Sequence, residues 1–155
     1  MRRILCATLT ASLWLSGCRL RDRDLPAVYR ALEVPVERLA SPDVRRQGRA
    51  LFHEHCIICH GDEANGQGVA ASYLTPPPRD LTSAEWQGRN DDRHIYFIIA
   101  EGRPGTAMPS WKPAFSPGEI WSVVAYLRSL GPLEPAGQEG APAGPAPSAG
   151  SGPRR

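Results

Sequence analysis

Cys56, Cys59 and His60 stand in a Cys-x-x-Cys-His pattern, Cys56-Ile57-Ile58-Cys59-His60. Two thiols one helical turn apart can add across the two vinyl groups of a haem, and the adjacent imidazole is then aimed at the iron. The pattern therefore predicts one haem c, covalent through Cys56 and Cys59, with His60 as an axial ligand. Two other chemistries use a cysteine pair. A structural zinc site wants four ligands, and His53 and His55 lie too close in sequence to Cys56 to complete a tetrahedron. A thioredoxin-like dithiol wants a βαβ context, and none is visible.

A second axial ligand is available in Met108, within Gly105-Thr106-Ala107-Met108-Pro109-Ser110-Trp111. Thioether sulfur opposite a histidine raises the reduction potential and suits electron transfer. Methionine more often fills a core, but a lone methionine in a Gly- and Pro-rich loop is a poor core filler. The remaining histidines, His53, His55 and His94, are expected on helix surfaces or in packing. No acidic pair is arranged for acid–base work.

The N-terminus reads as a secretory leader. Arg2 and Arg3 precede an apolar run from Ile4 to Leu15, too short to span a bilayer as a helix, which takes roughly 20 residues. Leu15-Ser16-Gly17-Cys18 resembles a bacterial lipobox, so residues 1–17 are expected to be a lipoprotein signal peptide and Cys18 the lipid anchor. An uncleaved apolar segment or a plain secretory signal is the competing reading. Of the 4 cysteines, Cys6 would leave with the leader and Cys18 would carry lipid. Only Cys56 and Cys59 then remain, with no distant partner for a structural disulfide.

The chain has 155 residues with 16 Pro and 15 Gly, and a formal charge of +2 without a long basic block. That excludes a long coiled coil and gives no footprint for nucleic acid. Residues 18–40 are read as the anchor cysteine and a charged spacer, a flexible coil reaching roughly 25 Å, with a short helical piece around Ala27 to Leu32. Residues 132–155 are Pro-, Ala- and Gly-rich with little to bury, and are expected to be disordered. The ordered domain is then 41–131. A domain of that size with long loops is short of core, which again calls for a bound group as a staple.

Three helices must position the ligands. The first starts at Ser41-Pro42-Asp43, an N-cap with Pro at the first helical position, and runs into Cys56. The second spans Asp91 to Glu101, capped by Asn90 and closed by Gly102. The third opens on Ser116-Pro117-Gly118-Glu119, a capping box, buries Ile120, Val123, Val124, Leu127 and Leu130, and stops at Gly131-Pro132. Gly61 to Gly88 and Arg103 to Phe115 read as irregular. Nothing reads as a sheet.

Gly48-x-x-x-Phe52, Cys56 to Gly61, Met108-Pro109 and the helix around Trp121 to Leu130 together resemble a class I monohaem c-type cytochrome, of the cytochrome c6 and cbb3-subunit-like kind. The resemblance covers about Ser41 to Gly131. It implies an all-α fold of about three to five helices, with long loops wrapped around one covalent haem. It also implies a crossing of the first and last helices where Gly48 permits close approach, with Phe52 and Tyr126 nearby. A proline carbonyl should accept from the ligand imidazole; Pro77 or Pro78 is favoured over Pro76. Two residues, Arg79-Asp80, separate Pro78 from Leu81 where many family members have one. Arg79 and Trp111 are candidates to hydrogen-bond haem propionates; a solvated Arg and a packed Trp fit equally.

The function expected is one-electron carriage between respiratory-type redox proteins by a membrane-tethered monomer at the periplasmic face of a bacterial membrane. A fixed subunit of a respiratory complex, a sensor, or a peroxidase-like enzyme with an open iron site are the other readings. Cations and acids nearly balance in residues 41–131 and no lysine ring is present, so partner docking should depend weakly on salt.

Overall fold

The computed structural model describes residues 25–131. The expected leader, Cys18 and the 132–155 segment lie outside the described residues. Among the described residues the fold is all-α and contains no strand. It comprises α1 (Ala27–Arg30), α2 (Val36–Ala40), α3 (Pro42–His55), α4 (Ile57–His60), a 3-10 turn (Ala71–Tyr73), α5 (Ala84–Arg89), α6 (Asp92–Glu101) and α7 (Pro117–Ser129). The count exceeds the expected three to five because α1, α2, α4 and α5 are only 4 to 6 residues long. Elements that short have no apolar period to read.

The three long helices follow their end signals. At α7 the Ser116 N–H donates to Glu119 Oε2 at 2.8 Å, and the Glu119 N–H donates back to Ser116 Oγ at 3.3 Å. At α6 the cap is Asp91, one residue beyond the expected Asn90; its carboxylate accepts the His94 N–H at 2.9 Å. Asn90 is used elsewhere, its amide donating to the Trp86 carbonyl at 2.8 Å. α6 buries Ile95, Tyr96, Ile99 and Ala100 along one helical stripe, so the Ile-Tyr-Phe-Ile-Ile run is helix and not strand.

α3 and α7 cross in the close contact that the resemblance implies. A Cβ on Gly48 would sit 1.8 Å from the Ser122 carbonyl oxygen, so only glycine lets the two backbones meet there. Phe52 and Tyr126 pack beside this point with ring centroids 5.3 Å apart. Ser122 is fully buried and satisfied, donating to the Gly118 carbonyl or Gln47 Oε1, each at 3.0 Å. α6 lies against α7 through Tyr96 and Trp121, with ring centroids 4.6 Å apart. The core is thus a small three-helix cluster, and α7 is buried on nearly all sides.

Residues 25–40 correct the expectation of a flexible spacer. Leu25 is only 2% exposed. Tyr29 packs edge-on against Phe97 with ring centroids 4.9 Å apart. Arg93 Nε donates to the Leu32 carbonyl at 2.8 Å, and Arg38 donates to the Gly118 carbonyl at 3.4 Å. The segment is a strap across α6 and the start of α7. Its short helices cannot hold themselves in water; tertiary contacts hold them.

Candidate functional site

One cavity collects the chemistry-bearing residues. Cys56, Cys59, His60, Pro77, Pro78, Arg79, Met108 and Trp111 all line it. Its floor and walls are apolar: Leu74, Leu81, Trp86, Ile95, Ile98, Ile99, Val123 and Leu127. Of the expected site residues only Cys18 lies outside the described residues.

The first wall is the turn from α3 into α4. Cys56 caps both helices, its N–H bonded to the Phe52 carbonyl at 2.8 Å, so the thiol pair is fixed by the end of a long, well-packed helix. Both cysteines are free. Burial pushes the Cys56 thiol up to about 12, with Cys59 adding to the rise. A redox-active dithiol needs the opposite, a depressed thiol in an electropositive setting. Loop 61–70 folds back over α4 and satisfies the carbonyls that so short a helix leaves open. The Gly66, Gly68 and Ala70 N–H groups donate to the carbonyls of His60, Cys59 and Ile58 at 2.8, 3.2 and 2.9 Å.

His60 is held neutral: burial lowers its pKa, and the Arg79 backbone opposes this only in part. Its Nδ1 is buried without a hydrogen-bond partner. Pro77 and Pro78, whose carbonyls were expected to face this nitrogen, line the same cavity. The far end of this stretch is tied down where the Leu81 N–H donates to the Ala64 carbonyl at 2.9 Å.

Another wall is the Met108 loop, which is tied to the last turn of α6. The N–H groups of Trp111 and Lys112 donate to the carbonyls of Ile99 and Ala100 at 3.1 and 3.2 Å, and the Arg103 N–H donates to the Met108 carbonyl at 3.1 Å. The Ser110 hydroxyl adds a bond to the Ala100 carbonyl at 2.6 Å. Thr106 Oγ accepts the Met108 N–H at 3.2 Å and donates to the Arg103 carbonyl at 2.8 Å. Gly102 closes α6 at φ +73°, and a Cβ there would lie 2.6 Å from the Pro109 carbonyl carbon. Thr106 and Arg103, which also lines the cavity, were not singled out from the sequence. The signal for Thr106 was its place two residues before Met108, where a hydroxyl can turn back on the backbone.

The other candidates take structural positions. Trp111 stacks on Phe115, with centroids 5.0 Å apart and planes at 19°, while His55 packs against both rings. His53 Nδ1 lies 3.0 Å from Asp62, and His94 Nδ1 lies 2.9 Å from Asp91. Among the described residues, no group of three or more His, Cys, Asp and Glu side chains converges as a metal site. No helix of the described residues is long and apolar enough to cross a membrane.

This donor set fits a haem c. Two unpaired thiols at a helix end can form thioethers. A neutral, buried imidazole can serve as the axial base. A thioether sulfur comes from a separate wall, and the lining between is apolar. When bound, haem supplies a one-electron Fe(III)/Fe(II) couple; the residues gathered here would hold it and exclude water from it.

Known proteins agree with this geometry. The model of the family "cytochrome C oxidase, cbb3-type, subunit III" matches residues 43–127. A cbb3-type cytochrome c oxidase subunit FixP of Bradyrhizobium sp. (strain ORS 278) is 32% identical over 84 residues, 54% of this chain and 27% of that protein. A thiosulfate dehydrogenase of Stutzerimonas stutzeri (strain A1501) is 31% identical over 124 residues, 78% of this chain and 38% of the relative. The chain thus spans well under half the length of these relatives. Among solved structures, one in the Kuenenia stuttgartiensis reducing HAO-like protein complex superposes with a TM-score of 0.54 at 28% identity, covering 59% of this chain and 46% of the other. With more than half its length matched and the thiols, imidazole and thioether gathered on one apolar cavity, the chain belongs to the cbb3-type cytochrome c oxidase subunit III family of c-type cytochromes and carries covalently bound haem c.

Proposed function

We propose that the protein is a one-electron carrier with a single haem c, attached through Cys56 and Cys59 and ligated by His60 and Met108. The observation that carries this reading is the placement of Met108 on the same cavity as the Cys56–His60 turn, in a loop pinned along the end of α6. With both axial positions filled, the iron exchanges electrons through the exposed edge of the group and offers no site for a substrate. Arg79 and Trp111 stand at the cavity where propionates would need donors.

Cys18 carries the lipid in this reading, and the protein works as a monomer at the periplasmic face of a bacterial membrane, passing electrons between respiratory-type redox proteins. The packed strap sharpens the tether. Only Arg19 to Asp24 separate Cys18 from buried Leu25, which at full extension spans about 25 Å. The domain therefore rides near the membrane surface on a short leash. A fixed oxidase subunit is favoured by the names of several relatives. An enzyme acting on a small sulfur compound is favoured by the thiosulfate dehydrogenase likeness over 78% of this chain.

A visible spectrum and redox titration of the membrane fraction test the proposal. The expected result is a c-type α-band that titrates as one electron, with the weak far-red band of methionine-to-ferric-iron charge transfer. An oxidised protein lacking that band, whose iron binds CO or cyanide readily, overturns it in favour of the enzyme. Co-purification with a larger complex after detergent extraction favours the fixed subunit. An electron-transfer rate that falls steeply with added salt contradicts docking on a nearly neutral surface.

A further inference from the structure

Glu101, the last residue of α6, binds two partners that are far apart in sequence. Lys112 Nζ donates to its carboxylate oxygens at 2.8 and 2.7 Å. The Tyr29 hydroxyl of the N-terminal strap donates to the same carboxylate. Lys112 is the only lysine in the chain, and it ends the stretch whose Ser110, Trp111 and Lys112 groups tie the Met108 loop to the carbonyls of Ile99 and Ala100. α6 is therefore gripped on two sides. Its Ile95, Ile98 and Ile99 line the cavity, while Phe97 and Tyr96 face the Tyr29 ring at 4.9 and 6.2 Å.

We propose that Tyr29 is a positioning residue for the Met108 side of the haem, acting through Glu101 and Lys112, so that the docked N-terminal strap latches the Met108 loop. The inference rests on the reading of Met108 as the second axial ligand. A single half-exposed ion pair, with Glu101 30% and Lys112 55% exposed, adds little to global stability. Departure of a loop ligand is a local opening, however, drawn from the low end of the stability range. There a small contribution from the latch changes the open population several-fold. The hydroxyl of Tyr29 fixes the Glu101 rotamer, the rotamer fixes Lys112, and Lys112 holds the returning end of the loop against the helix. Undocking the strap removes the first of these steps without touching the cavity itself.

The test uses the oxidised holoprotein and the rate at which added imidazole displaces the far-red band, a reaction gated by departure of the methionine. Tyr29→Phe keeps the ring on Phe97 and removes only the hydroxyl. The expected result is an imidazole-binding rate about five-fold above wild type for Tyr29→Phe, with global unfolding followed by far-UV circular dichroism nearly unchanged. Glu101→Gln should accelerate at least as much, and the double variant little more than Glu101→Gln alone, because both act through one carboxylate. Gln47→Ala serves as a control for general loosening, since the Gln47 side chain accepts a hydrogen bond from Ser122 at the α3–α7 crossing, away from the Met108 loop. Equal rates in Tyr29→Phe and wild type, or an acceleration no larger than that of Gln47→Ala at matched stability, overturns the latch. A wild-type protein with no far-red band, unchanged in Met108→Ala, overturns the ligand reading itself and is distinct from both.

Discussion

The two sides of the cavity are built by different means. The His60 side grows directly out of the longest helix: α3 ends at His55, Cys56 caps it, and α4 begins at once. The proposed ligand and both proposed attachment thiols lie within five consecutive residues. The Met108 side is a loop with no regular structure of its own. It is fixed by a row of hydrogen bonds to one helix end, and by the strap behind that helix. A covalent, contiguous wall fails only with the whole fold, whereas a wall made of separate hydrogen bonds can open alone. The asymmetry predicts which ligand leaves first under stress.

The largest effect is expected from removing the covalent side. Replacing Cys56 and Cys59 together by Ala should abolish covalent haem, read as loss of haem stain on a denaturing gel, and should prevent accumulation of folded protein. Met108→Ala attacks the other side, and the outcome should differ in kind. Haem stays covalent, the far-red band disappears, the reduction potential falls, and ferrous iron binds CO where the wild type does not. If Met108→Ala instead lost its haem, the two sides would not be independent.

A second pair of variants places the same kind of strain on each side. Gly102→Ala puts a Cβ at φ +73°, 2.6 Å from the Pro109 carbonyl carbon. Gly66→Ala puts one at φ +82°, 2.7 Å from the Pro78 carbonyl oxygen. Each should cost about 1–3 kcal/mol in chemical unfolding. Only Gly102→Ala should also weaken the far-red band, because Gly66 packs the loop beside His60. Band loss in Gly66→Ala would mean that strain passes through the haem from one side to the other.

What could be read beforehand divides along the same line. Cys56, Cys59, His60 and Met108 carry their chemistry in residue type and spacing. The end of α6 and the start of α7 carry theirs in Gly102 and the Ser116–Glu119 box, while the cap of α6 lies at Asp91, one residue beyond the expected Asn90. These are local signals. α5 was not legible, because its six residues are held from a distance. Gln87 donates to the Leu81 and Leu127 carbonyls at 2.8 and 2.9 Å, and Arg128 reaches the Gln87 and Asn90 carbonyls at 3.0 and 2.6 Å. The strap was missed for the same reason: its charged, irregular composition resembles a spacer, and only α6 and α7 supply the surface on which Tyr29 and Leu32 settle. The path of residues 76–81 beside His60 was not legible, because the Leu81–Ala64 bond that ties down its end joins residues that no short pattern links.

The smallest effect separates hydrogen bonding from packing on the Met108 side. Ser110 donates to the Ala100 carbonyl, while the Lys112 N–H donates to the same oxygen at 3.2 Å. In Ser110→Ala that acceptor keeps one partner, so no buried polar group is orphaned and the loss should stay near 1 kcal/mol or below. Global unfolding should hardly register it. The far-red band should, because the lost bond anchors the loop one residue from Pro109 and two from the ligand. On heating, the band of Ser110→Ala should vanish several degrees below that of the wild type, while the far-UV signal melts at nearly the same temperature. Coincident melting of the two signals in both proteins would show that the methionine leaves only when the helices do, and the contrast between a contiguous and a tied-on wall would then have no energetic meaning.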